Sequence, residues 1–166
     1  MKVYKLALLW LLGFFVPADI FSQPLGFDTI KNQKILLGIV KKEHLADSSW
    51  FIENYHFEQI SGETFREISE ASMNVKVDVY FGSWCEDSQR WLPVFVNIMD
   101  HTGLQAKTTL VGLPRSKEER EKIAPGIGIE KVPTFVFKFD GKEIGRIIEN
   151  PESDLSKAVL NILLRK

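Results

Sequence analysis

Segment 75–93 constrains the fold most, because a strand pattern changes into a helix pattern within a few residues. In residues 75–81, apolar side chains alternate with more polar ones, which predicts a strand. Gly82 breaks this pattern, and residues 86–99 then carry apolar side chains at helical spacing. The only cysteine of the chain, Cys85, stands at the junction. The sequence therefore predicts a strand-to-helix turn with a lone thiol at its centre.

The position of Cys85 favours a reactive sulfur. At the start of a helix, backbone N–H groups without helical partners and the positive end of the helix dipole both stabilise a thiolate. The carboxylates of Glu86 and Asp87 act in the opposite direction, since they disfavour a further negative charge beside them. We therefore expect a moderately activated thiol. The alternative is the buried, inert state that is usual for a free cysteine.

Residues 1–22 have the pattern of a secretory signal peptide. Lys2 and Lys5 precede an apolar run over residues 6–16, and small or polar residues follow it, which predicts cleavage after Ser22. The run is too short for an ordinary membrane span, which needs about 20 residues. We expect a periplasmic or secreted protein without stable membrane association after cleavage; an uncleaved anchor is the alternative.

The remaining residues, 23–166, suffice for one domain with its own core. Without Lys2, Lys5 and Asp19, the 21 basic and 22 acidic residues of the chain become 19 and 21, a net charge of −2. This balance argues against a nucleic-acid partner. A lone cysteine in an exported protein has no internal disulfide partner, which indicates a free reactive thiol or pairing with another molecule.

From residue 62 onward, helix and strand patterns alternate regularly. The predicted helices cover residues 63–73 (with Met73 inward), 86–101, 116–123 and 152–164. The predicted strands cover residues 75–81, 107–112, 134–139 and 143–148, the last two joined by an Asp140-Gly141 hairpin turn. This order predicts an α/β fold with a mixed central sheet flanked by helices. The charged run 116–122 is interpreted as a solvated helix face.

Residues 23–54 are predicted to form an N-terminal extension. It contains a short apolar run at 35–40, typical of a strand or a buried helix turn, and a helix pattern at 45–55. Its role is not evident from these patterns.

Residues 55–166 resemble the thioredoxin superfamily. Trp84-Cys85 followed by a helix is similar to the Trp-Cys-x-x-Cys active site of that family. Pro93 follows Cys85 by eight residues, where thioredoxins also carry a proline. The whole chain is similar to small exported thioredoxin-like proteins of the Bacteroidetes type. The resemblance implies a thioredoxin fold with an N-terminal extension.

Two further motifs support the resemblance. Val132-Pro133-Thr134 is similar to the family's cis-proline loop, which lies beside the active-site sulfur and can pair with an extended peptide. The turn at residues 139–142 and the following Gly145 match the family's last hairpin.

The chain departs from the family at the second cysteine, because the motif reads Cys85-Glu86-Asp87-Ser88. In a dithiol enzyme, the second thiol releases the mixed disulfide that the first one forms. Ser88 lacks this ability, although its hydroxyl lies one helical turn on and is expected to bond the Cys85 thiolate. An external thiol, or a second thiol on the substrate, would have to complete the exchange.

A second departure concerns proton transfer. Thioredoxins bury an aspartate on the strand beneath the active site, and the matching position here is Val79. Asp78 is one residue away, on the opposite face of the predicted strand. The resemblance therefore implies that Cys85 exchanges protons with water, Glu86 or Asp87.

The resemblance implies thiol-disulfide exchange or shuffling through mixed disulfides with thiol- or disulfide-containing proteins or small thiols. The candidate catalytic residues are Cys85 and Ser88, and the candidate substrate-binding residues are Trp84, Val132, Pro133 and Thr134. The chain would then be a thiol-disulfide oxidoreductase or isomerase without a resolving cysteine.

Two other functions stay open. A redox-inactive peptide- or protein-binding module would keep the fold and the groove without chemistry, and a peroxide-sensing cysteine would stop at the sulfenic acid. We expect no cofactor. We also expect no metal site, because His44, His56 and His101 have no partners at metal-ligand spacing.

Overall fold

A computed structural model describes residues 25–151 and 154–166. The strands are β1 (Leu25–Asp28), β2 (Gln33–Leu36), β3 (Gly38–Val40), β4 (Val75–Phe81), β5 (Thr108–Gly112), β6 (Thr134–Phe139) and β7 (Lys142–Ile148). The helices are α1 (Ser49–Asn54), α2 (Gly62–Ala71), α3 (Glu86–Thr102), α4 (Lys117–Ile123) and α5 (Leu155–Leu163). The predicted signal peptide lies outside the described residues.

Five strands form one mixed sheet in the order β3-β5-β4-β6-β7. β4 and β5 run parallel, with α3 in the crossover between them, and the other neighbouring pairs are antiparallel. Because side chains alternate along β4, Val79 and Phe81 face the cluster under α2, α3 and α5, whereas Tyr80 faces the cluster under α4. The predicted α/β fold, with a mixed central sheet flanked by helices, is confirmed.

Several element boundaries follow directly from local signals. β4 occupies the predicted range, 75–81. α3 ends at Gly103, whose left-handed φ of 72° suits the helix terminus. The hairpin between β6 and β7 turns at Asp140 and Gly141, with φ values of 48° and 80°. Strong turn residues therefore fix these boundaries.

The prediction that Met73 packs inward is wrong. α2 ends at Ala71, and Met73 lies in the following turn with 65% of its surface exposed. The Ser72 N–H closes the helix by donating to Ile68 O at 2.8 Å. Asn74 then adopts a left-handed φ of 63°, which turns the chain into β4.

The N-terminal extension, which the structure describes for residues 25–54, contains more and shorter elements than predicted. The apolar run 35–40 is split between β2 and β3, because Gly38 adopts a left-handed φ of 75°. The helix predicted over 45–55 is shorter, since α1 covers only Ser49–Asn54.

β1 and β2 form a separate antiparallel hairpin, and β3 adds to the edge of the main sheet by pairing with β5. The chain passes so close to β5 that a Cβ atom on Gly112 would lie 2.4 Å from Leu36 O. A glycine is therefore required at this joint. Among the described residues, no helix has the length and apolar character needed to cross a membrane.

Candidate active site

Cys85 is the N-cap residue of α3 and is half-buried. Its backbone N–H donates to Gly82 O at 2.9 Å, and its carbonyl accepts from Gln89 N at 2.9 Å. The sulfur therefore stands where β4 turns into α3, at the positive end of a helix of 17 residues. Because Cys85 is only half-buried, it does not have the full burial considered as an alternative from the sequence.

The Cys85 sulfur meets the loop that precedes β6. Cys85 Sγ donates to Val132 O at 3.3 Å, and the Val132–Pro133 peptide bond is cis. Thr134 begins β6 opposite Tyr80, so the pairing of β6 with β4 carries this loop to the sulfur. The two segments that the sequence singled out therefore adjoin each other.

Two polar groups of this loop are engaged within the protein. Thr134 Oγ1 donates to Lys131 O at 2.7 Å, and Pro133 O accepts from Glu149 N at 2.7 Å. Both bonds hold the loop in shape. In the structure, Thr134 and the Pro133 carbonyl therefore act as supports.

The Ser88 hydroxyl is buried and bonds the backbone. Its Oγ accepts from Gly82 N at 3.1 Å. A bond between Ser88 Oγ and Cys85 Sγ, expected from the sequence, is not among the hydrogen bonds of residues 25–151 and 154–166. Ser88 thus fastens α3 to the end of β4.

Two more bonds hold the active-site turn, residues 82–88. Gln89 Nε2 donates to Ser83 O at 2.8 Å, which closes the turn from the side of α3. Ser83 Oγ accepts from Leu36 N at 3.0 Å, which ties the turn to β2 of the N-terminal extension. Sequence reasoning missed Ser83 and Leu36, because a single polar contact between distant residues leaves no periodic pattern.

Trp84 is held against the protein beside the sulfur. Its Nε1 donates to Leu113 O at 2.8 Å. Two guanidinium groups approach the ring, with Cζ of Arg115 at 4.4 Å and Cζ of Arg120 at 5.5 Å from its centroid. A guanidinium group in such a position is attracted electrostatically by the aromatic ring. A Cβ on Gly82 would lie 2.5 Å from this ring, so only glycine leaves room for it.

The interpretation of the charged run 116–122 as a solvated helix face is wrong at Arg120. Its neighbours on α4 are exposed, but Arg120 itself is only 7% exposed. Its guanidinium donates to Pro114 O at 2.9 Å, to Arg115 O at 3.0 Å and to Glu130 O at 2.7 Å. Burial lowers the pKa of Arg120, and the nearby charge of Cys85 acts in the opposite direction.

Arg115 connects the site to the N-terminal extension. Its Nε lies 2.6 Å from Asp28 Oδ2, and the Asp28 side chain is buried. The hydrogen bond from Arg115 is the main cause that lowers the pKa of Asp28, against the opposing effect of burial. The extension therefore orients one of the two cations beside Trp84.

Beneath the site there is an apolar side chain where thioredoxins bury an aspartate. Val79 is fully buried, and Asp78 on the opposite face bonds Lys138 Nζ at 2.6 Å. This bond is the main cause that raises the pKa of Lys138. Within the described part of the chain, no three His, Cys, Asp or Glu side chains are grouped so that they could hold a metal ion.

No family model matches the chain. The thioredoxin-like protein CXXS2 of Arabidopsis thaliana is 26% identical over 105 residues, which cover 60% of this chain and 65% of that protein. The thioredoxin of Malassezia sympodialis is 28% identical over 99 residues, which cover 60% of this chain and 90% of that protein. This chain thus spans just under two thirds of the length of its Arabidopsis relative.

A crystal structure of a Pseudomonas aeruginosa protein of unknown function is similar in fold, with a TM-score of 0.50 at 13% identity, over 76% of this chain and 85% of that chain. The chain has a thioredoxin fold, with the mixed five-stranded sheet described above. Its curated relatives support the predicted place in the thioredoxin superfamily.

Proposed function

We propose that this chain is an exported monothiol thioredoxin-like protein that forms mixed disulfides through Cys85. The observation that carries the proposal is the position of the sulfur. Cys85 Sγ is half-buried at the start of α3 and lies 3.3 Å from Val132 O. A half-buried thiol in such a place is accessible to a partner. Its relatives among thioredoxins support the same class of chemistry.

The proposed reaction is an exchange without net oxidation. The Cys85 thiolate attacks one sulfur of a substrate disulfide, forms a new S–S bond and expels the other substrate sulfur as a thiolate, which takes a proton from water. A second thiolate, from the substrate or a small thiol, then attacks the mixed disulfide and restores Cys85. Ser88 supplies no thiol for this step, so shuffling is the most economical activity.

The substrate segment would lie in an extended conformation along Val132 and Pro133. Within the described residues, the Val132 N–H has no hydrogen-bond partner, and a substrate carbonyl can accept from it as an added strand would. On binding, the Cys85 thiol would release Val132 O, which then accepts from a substrate N–H. Trp84 would form one wall of this groove, and Thr134 would support its floor.

In this proposal Ser88 acts through the backbone. Its bond to Gly82 N keeps the active-site turn closed, so that Cys85 stays at the helix start. Thiol- or disulfide-containing proteins and small thiols are the proposed partners. Export rests on the signal-peptide pattern of residues 1–22, and a periplasmic or secreted location follows from it.

The direct test is capture of mixed disulfides. The purified protein is incubated with a peptide disulfide carrying an extended apolar segment, and adducts are measured by intact mass. We expect an adduct on the wild-type chain, none on Cys85→Ser, and a shorter-lived adduct on Ser88→Cys, because a second thiol releases it. A wild-type thiol that resists both the peptide and iodoacetamide would overturn the proposal and favour the redox-inactive binding module.

A further inference from the structure

We propose that Arg120 is a positioning residue that joins the loops around Cys85 and supplies the positive charge facing its thiolate. The inference rests on the proposed function, since it assigns how this chain activates the sulfur without the buried aspartate of thioredoxins. Arg120 lies in a run of charged residues that the sequence alone predicts to be a solvated helix face.

Arg120 joins two loops of the active site through its guanidinium group. Arg120 donates to Pro114 O and Arg115 O, which follow β5, and to Glu130 O, which lies two residues before Val132. One planar guanidinium thus ties the loop after β5 to the loop that receives the Cys85 thiol. Three donors in fixed directions hold both loops at once, which a lysine ammonium cannot reproduce in the same plane.

The positive charge of Arg120 is buried. Arg120 is 7% exposed, and within residues 25–151 and 154–166 it belongs to no ion pair. Its three partners are neutral carbonyl groups. A buried cation without a carboxylate favours any anion that forms nearby, because little water screens it. The Cys85 thiolate is the anion in this proposal, because Arg120 Cζ lies 5.5 Å from the ring centroid of the adjoining Trp84, and Trp84 and Cys85 pack against the same apolar cluster.

The other charges around the site are already neutralised or exposed. Arg115 is paired with Asp28, and Lys131 near the cis-proline loop is paired with Glu149. Glu86 and Asp87 in the first turn of α3 are exposed, so water screens their repulsion. Among the described residues around the site, Arg120 is therefore the buried cation without a carboxylate partner, and its charge is left for the sulfur.

The test compares the rate at which iodoacetamide, an uncharged reagent, modifies Cys85 across a pH series. We expect Arg120→Gln to lower this rate about tenfold at neutral pH, the effect of losing one nearby opposite charge, with recovery in alkaline solution. Lys117→Gln is the matched control, because it removes one positive charge from the exposed side of the same helix. That control is expected to react like the wild type.

Arg120→Lys separates charge from shape. It keeps the positive charge, so we expect the alkylation rate to depend on pH as in the wild type. It loses some of the guanidinium hydrogen bonds that hold the two loops, so we expect a lower yield of mixed disulfide with the peptide. A folded Arg120→Gln protein whose rate equals that of the wild type at every pH would overturn the inference and leave the proposed function intact. A wild-type thiol that never reacts would instead overturn the proposed function.

A second measurement applies even where Arg120→Gln fails to fold. In Cys85→Asp a carboxylate stands where the thiolate would form, and Cys85→Asn is its neutral match. With Arg120 in place, we expect Cys85→Asp to unfold at a higher temperature than Cys85→Asn at neutral pH, and the difference to vanish in acid. A lower melting temperature for Cys85→Asp would contradict the proposed role of the cation.

Discussion

The active-site turn and the N-terminal extension are attached to the protein by contacts of different range. The turn is closed mainly by bonds between near neighbours, such as Cys85 N to Gly82 O and Gly82 N to Ser88 Oγ. The extension is attached by contacts between distant residues, Leu36 with Ser83 and Asp28 with Arg115. One of these long-range contacts ends on Ser83 in the active-site turn, and the other ends on Arg115, whose guanidinium lies against the Trp84 ring. The extension is therefore a support of the active site as well as an edge of the sheet.

The largest expected effect comes from Gly112→Ala, which breaks the joint between the extension and β5. A Cβ here would lie 2.4 Å from Leu36 O, so backbone must move. We expect the free energy of unfolding to fall by about 3 kcal/mol, as for an overpacked core. Urea unfolding measures this loss.

Gly62→Ala is the matched control, since nothing lies within 4 Å of a Cβ at that position in α2. Alanine there should leave stability equal or slightly higher, because it limits the unfolded chain. If both variants lose the same free energy of unfolding, the close contact between the extension and β5 does not contribute specifically to stability.

Ser88→Ala tests the short-range hydrogen bonds that close the active-site turn. It leaves the Gly82 N–H buried without its acceptor, and we expect a loss of about 2 kcal/mol in the free energy of unfolding. Thermal unfolding measures it, with Ser69→Ala on the exposed side of α2 as control. Alkylation of Cys85 should also slow, because the turn opens. Unchanged stability would mean that the turn does not depend on this hydroxyl.

Ser83→Ala lies where the two regions meet. It removes the acceptor of Leu36 N but keeps Ser83 O, which holds Gln89. We expect a loss of about 1 kcal/mol in stability. Hydrogen exchange should become faster in β1 and β2 while the start of α3 stays protected. If α3 loses protection equally, the two regions are one cooperative unit.

The smallest expected effect is the pH dependence that comes from Asp28. Its pKa is lower in the folded protein than in the unfolded chain, chiefly because Arg115 donates to it. Its contribution to stability is therefore complete above the ordinary aspartate pKa and is lost as pH falls through the folded value. Melting temperatures of wild type and Asp28→Asn should differ near neutral pH and converge in strong acid. A constant difference would show that the Asp28 charge has no role.

The sequence predicted the parts of the fold that depend on short-range patterns. The alternation in β4 and the Asp140-Gly141 turn placed elements correctly, and the motifs at Cys85 and Val132 indicated two segments that do adjoin. The attachments of the extension escaped prediction, because each depends on a pair of polar atoms 47 or 87 residues apart.

Arg120 escaped prediction for a different reason. Its neighbours in sequence are charged and exposed, which hid its own burial. The sequence nevertheless contains a signal for this burial. Ile123 and Ala124 follow Arg120 by three and four residues and therefore share its helix face. These apolar residues pack in the cluster under α4 and mark Arg120 as inward-facing.

The three-residue strand β3 has a consequence for association between molecules. It covers β5, and its own outer side offers only a few N–H and C=O groups to another chain. A shortened protein beginning after residue 54 would leave the five-residue strand β5 as an open border. Sedimentation of such a protein should show self-association that grows with concentration, because unpaired strands recruit one another.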